Sequence, residues 1–177
     1  MSYSGERILL HSQRESQVAH FRAWVLFAVP LASILFQVYV PHFFPFLGFL
    51  ELPLLVIVYF ALMRRAPIGG LLVGAFVGLA QDSLSKNPLG MYGLVETLVG
   101  YLAASIGVRI VVDHTFVRLL VAFLFYCFHQ FLYWVLSRAL LSQQLAFELQ
   151  RTLVLGLLNA VVGVALYHFL DKLREPA

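Results

Sequence analysis

The sequence predicts an all-α integral membrane protein, a six-transmembrane-helix bundle forming a single domain over residues 1–177. Two observations carry that prediction. Of the 177 residues, 61% are hydrophobic and 12% charged, with a mean hydropathy of +0.87, which leaves too little polar surface to coat a water-soluble domain. The apolar residues also come in long runs, such as 119–136. A spanning helix needs about 20 such residues, whereas the strands of an outer-membrane barrel would be shorter and would alternate in polarity.

The spans follow from the runs and the residues that punctuate them. Span 1 covers residues 21–40. A polar stretch of mixed charge precedes it, it is longer than a signal-peptide core, and no persuasive small-x-small cleavage site follows, so it is expected to remain uncleaved. Span 2, residues 46–63, is interrupted by Glu51 and Pro53. Its first part, "PHFFPFLGFLE", could lie in the interface or re-enter the bilayer, and Glu51 is expected at the interface. Span 3 covers 67–84 and span 4 covers 88–111, joined by a link short enough to make them antiparallel neighbours. Asn87 followed by Pro88 suits a helix start, with Asn as cap and Pro at the first helical position. Spans 5 and 6 cover 115–136 and 149–170.

Basic residues set the orientation. With a cytoplasmic N-terminus, Arg7, Arg14, Arg22, Arg64, Arg65, Arg109, Arg118, Lys172 and Arg174 lie inside, and Lys86, Arg138 and Arg151 outside. That bias predicts both termini in the cytoplasm. The sequence pI of about 9.2 therefore reads as topology; basic residues scattered along the chain are a poor nucleic-acid footprint, so no nucleic-acid partner is expected.

The polar residues inside the spans are the candidate functional positions. Gly70, Gly74, Gly78 and Asp82 recur every four residues along span 3, and Gly93, Glu96, Gly100 and Gly107 share a face of span 4. Glycine stripes let helix backbones approach closely in lipid, so the two faces are expected to meet. Glu96 is then placed nearest the level of Gly78. An ionised acid at mid-membrane is costly enough to demand a partner. Asp82 can serve structurally, by accepting hydrogen bonds from the free amides at the start of span 4 or by pairing with Lys86, or it can anchor a ligand, proton or partner helix. The same alternatives apply to Glu96, which has no basic residue nearby in sequence. Tyr126, Gln130, Tyr133 and Ser137 align on span 5 beside His129, and Thr152, Gly156, Asn159, Gly163 and Tyr167 align on span 6; interhelical hydrogen bonding is the simplest role for both stripes.

Signals for catalysis are weak. The six histidines include no pair at i, i+4, and there is no His-Glu-x-x-His pattern, Gly-x-Ser-x-Gly elbow or phosphate loop. The lone Cys127 excludes an internal disulfide and suits packing. No enzyme activity, metal or cofactor is expected. A membrane-embedded enzyme would have only Asp82 and Glu96 to work with.

The succession "LPLLVIVYFALMRRAPIGGLLVGAFVGLAQDSLSKNPLGMYGLVETLVGYLAA", residues 52–104, resembles the bacterial rod shape-determining protein MreD family. Its marks are a proline opening span 2, a basic turn, a glycine-rich span ending in Gly78-x-x-x-Asp82, and Pro88-Leu89-Gly90 leading to Thr97 through Tyr101. The resemblance implies a non-catalytic component of the bacterial inner membrane, in the elongation machinery that builds lateral peptidoglycan. It further implies an MreC-like single-span partner, with MreB, RodA and a class B penicillin-binding transpeptidase as wider partners. Such proteins also resemble the six-helix substrate-binding components of energy-coupling-factor vitamin transporters, and Ala28-x-x-x-Ala32 is similar to their docking motif, although Pro30 interrupts it here. The alternative function is therefore membrane solute binding. A solute-binding component should have an outward-opening pocket walled by polar groups; a scaffold should have an interior closed by side chains and a groove for another protein's helix.

Overall fold

Helices occupy the apolar runs. The computed structural model describes residues 21–85, 88–110, 112, 114–142 and 146–174. In chain order these hold α1 (Ala23–Phe43), a 3-10 turn (Pro45–Phe49), α2 (Leu52–Arg64), α3 (Pro67–Leu84), α4 (Met91–Gly107), α5 (Thr115–Leu141) and α6 (Leu149–Asp171). There is no strand among the described residues, only an isolated antiparallel bridge between Phe21 and Arg174. That bridge puts the start of α1 and the end of α6 at the same end of the bundle, here called the terminal end.

α1, α3, α5 and α6 are long and apolar enough to cross a membrane; α2 and α4, with 13 and 17 residues, are shorter. The long helices turn Phe27, Ile68, Phe76, Phe116 and Phe169 outward, each more than half exposed, as suits a lipid-facing surface. α2 is the opposite case. Every residue from Pro53 to Met63 is buried, and the helix touches each of the other five. A helix apolar all round belongs in the centre of a bundle. At about 1.5 Å per residue α2 spans roughly 20 Å, well short of a hydrocarbon core of about 30 Å. The 3-10 turn before it packs against α1, so the stretch expected as one span from residue 46 is helically broken at Leu50 and Glu51.

The terminal end is tied by a polar cluster that the sequence patterns did not single out. Asp171 on α6 pairs with Arg118 of α5 at 2.5 Å and with Arg174 at 2.7 Å. The Tyr59 hydroxyl of α2 donates to the same carboxylate at 2.8 Å, and Arg118 Nε donates to the carbonyl of Val112 at 2.9 Å. Three helices are thereby joined where the apolar core gives out.

Candidate functional site

The glycine stripes of α3 and α4 meet backbone to backbone. A Cβ added at Gly70, Gly74 or Gly78 would collide with the carbonyl oxygen of Gly100, Glu96 or Tyr92 respectively, and one at Gly100 with that of Gly70. Among the described residues this is the most extensive helix pairing. The register places Glu96 opposite Gly74, one turn deeper than its expected level at Gly78; α4 also begins later than the sequence suggested. Gly90 adopts φ +95° as the N-cap and helical structure starts at Met91, so Pro88 sits in the preceding turn instead of opening the helix. Asn87 and Lys86, the expected cap and the possible partner of Asp82, lie outside the described residues.

Asp82 accounts for this start. It is 1% exposed, and its carboxylate accepts three backbone N–H groups: Gly90 and Gly93 on Oδ2, each at 2.9 Å, and Tyr92 on Oδ1 at 3.1 Å. The Met91 N–H bonds to the Pro88 carbonyl at 3.4 Å. The first amides of a helix lack intrahelical partners, and here an acid from the neighbouring helix supplies them. The negative charge also sits at the positive end of the α4 dipole. With the carboxylate given over to backbone amides, Asp82 is poorly placed to act as an acid or base.

Glu96 finds its partner in three dimensions. Its Oε1 lies 3.3 Å from His129 Nε2 of α5, and both side chains are 1% exposed. The His129 ring stacks on Tyr92, centroids 5.8 Å apart and planes at 20°, and Tyr92 contacts Tyr133 at 5.2 Å. Glu96 Oε2 makes no hydrogen bond.

The break before α2 is closed from α6. Asn159 Oδ1 accepts the Glu51 N–H at 2.8 Å, and Nδ2 donates to the carbonyls of Phe49 at 2.9 Å and Leu155 at 3.0 Å. Irregular backbone at membrane depth is tolerated only where it is buried in protein or lines a cavity; both conditions hold here. A cavity of about 320 Å³ lies between the 3-10 turn, α5 and the start of α6, lined among others by Glu51, Tyr126, Gln130, Tyr133, Arg151 and Thr152. Asn159 is ten residues beyond Leu149, about 15 Å along α6. Glu51, expected at the interface, stands level with the middle of α6, because the shortness of α2 carries its first residues into the bundle.

Among the described residues no group of three or more His, Cys, Asp or Glu side chains could hold a metal ion.

Comparison with protein families matches residues 19–175 to the rod shape-determining protein MreD. The chain belongs to the MreD family. With four apolar helices of spanning length, this MreD-family chain is a multi-pass membrane protein and a rod shape-determining component. The match extends past the 52–104 segment to spans 1, 5 and 6. No curated protein and no solved structure matches the chain, so no solved structure supports likeness to the transporter components.

Within this MreD-family chain, sequence spacing located the α3 and α4 glycines and both acids. It did not pair Glu96 with His129 or assign Asn159 to the break before α2, since these contacts join residues far apart in the chain. The signals available were an unpartnered acid, a histidine in an apolar run, and an asparagine on a small-residue face.

Proposed function

We propose that the chain is a non-catalytic component of the rod complex in the bacterial inner membrane, supporting lateral peptidoglycan synthesis by contact with an MreC-like single-span protein. MreB, RodA and a class B penicillin-binding transpeptidase are its wider partners. Both termini are placed in the cytoplasm, which puts the cluster around Asp171 at the inner face and the turn around Gly90 at the outer face.

The family match over residues 19–175 carries this reading. The architecture supports it physically. A hairpin closed by glycine contacts and by Asp82 is a stiff element, suited to holding a fixed surface towards a partner. Beside it, α1 and α3 leave an almost wholly apolar groove of about 290 Å³ between residues such as Leu26, Phe27, Leu31, Leu72 and Phe76, the kind of surface against which a single spanning helix packs.

The cavity beside Glu51 favours a second reading, a solute-binding component of a vitamin-type transporter. Ala28 and Ala32 are exposed on α1 while Pro30 between them faces the bundle, so the small-residue pair is open to a partner and is compatible with this reading. Co-isolation separates the two. Tagged protein extracted from membranes in mild detergent should retain an MreC-like protein in constant ratio. Recovery of an energy-coupling ATPase module instead would establish the transporter reading.

A further inference from the structure

The cavity beside the start of α2 has the chemistry of a binding site. Its volume of about 320 Å³ equals that of roughly ten waters at about 30 Å³ each. Tyr126, Tyr133 and Trp134 of α5 wall it, and Phe49 and Phe147 add further rings. Two of the charged groups satisfy each other: Arg151 Nη1 lies 3.2 Å from Glu148 Oε2, and its guanidinium stands 6.0 Å from the centre of the Phe49 ring. Glu51 is different. Its backbone N–H is bonded to Asn159, and among the described residues the group of opposite charge that acts on its carboxylate is His129, which is itself paired with Glu96. An acid inside the bundle without a counter-ion of its own calls for one.

The surroundings select the kind of counter-ion. Calcium takes six to eight oxygen ligands, and one carboxylate is a poor start for such a shell. Aromatic faces attract cations through their quadrupoles and also bury apolar surface. We propose that the cavity binds the primary ammonium group of an amphipathic amine, seated among Tyr126, Tyr133 and Trp134 with Glu51 as its counter-ion. The amine comes either from a soluble alkylamine or from the head group of phosphatidylethanolamine. The proposal rests on the cavity alone and is independent of the rod-complex reading.

Trp134 provides the readout. The chain has two tryptophans, so Trp24→Phe leaves Trp134 as sole reporter. Purified full-length protein in phosphatidylglycerol nanodiscs is titrated with n-butylammonium and, separately, with 1-butanol. The expected result is a saturable change in Trp134 emission with butylammonium, at least about tenfold weaker with butanol, a discrimination typical of a charge contact. Glu51→Gln should weaken the amine response about tenfold or more. Because that variant could fail to fold, Tyr133→Leu is measured as well; it removes a ring without touching Glu51 and should also weaken binding. Nanodiscs containing phosphatidylethanolamine identify the source: a competitive shift of the butylammonium curve assigns the lipid head group, and an unshifted curve assigns a soluble amine. Equal responses to butanol and butylammonium, no saturable response, or full binding by folded Glu51→Gln would overturn the proposal.

Discussion

Asp82 on α3 accepts the N–H of Gly93 on α4 at 2.9 Å, so a buried carboxylate completes the first turn of a helix to which it does not belong. The same oxygen takes the Gly90 N–H. Behind this contact, Gly78, Gly74 and Gly70 run against α4 with no room for a side chain. The hairpin is therefore held by electrostatics at one end and by backbone packing along its length.

Leucine at Gly74 or Gly78 should separate the two helices. Overpacking a tight contact costs about 1–3 kcal/mol and more where backbone must move, and here the obstacle is a carbonyl oxygen. Both variants should accumulate poorly in membranes by quantitative immunoblot. Gly69→Leu is the internal control, since a Cβ there meets only Ala66 at 3.4 Å; it should accumulate normally.

Asn159→Leu should destabilise the bundle through the break before α2. It deprives the Glu51 N–H and the Phe49 carbonyl of partners, at about 1–3 kcal/mol per buried unsatisfied group. Thermal unfolding in detergent should show a clear drop in midpoint. An unchanged midpoint would mean that these groups reach water through the cavity.

The Glu96 and His129 pair can be tested for dispensability. Removing one partner from a buried pair is far more damaging than replacing both with apolar side chains. Glu96→Leu alone should lower folded protein, and the double variant Glu96→Leu, His129→Leu should recover it. A recovered double variant that fails to restore rod shape would assign the pair a role beyond packing.

Reporter fusions check the orientation. Fusions at the C-terminus and near Arg65 should score cytoplasmic and one near Gln143 periplasmic. A periplasmic C-terminus would contradict six crossings.

Much of this was legible in the sequence because it depends on local spacing. Four-residue steps place Gly70, Gly74, Gly78 and Asp82 on one face whatever surrounds them. The glycine at position 90 was visible but its φ of +95° was not, and that moved the start of α4 from Pro88 to Met91. Glu51 looked interfacial because an acid and a proline interrupt a greasy run. Its depth depends on α2 being central and only 13 residues long, which follows from packing against five other helices. The Asp171 cluster depends on the fold for the same reason, as Tyr59 and Arg118 reach Asp171 from two other helices and Arg174 from the segment after α6.

The most direct test of Asp82 as the lock of the hairpin measures membrane abundance and rod-shape rescue side by side for Asp82→Asn and Asp82→Leu. Asparagine can keep its oxygen facing Gly90 and Gly93, but its NH2 then confronts the Tyr92 N–H; leucine offers no acceptor to any of the three amides. A structural lock predicts a graded series, with Asn retaining most of the protein and Leu little, and with shape rescue following abundance in each. An Asp82→Asn protein present at wild-type level and unable to restore rod shape would contradict it, and would assign the negative charge itself to function.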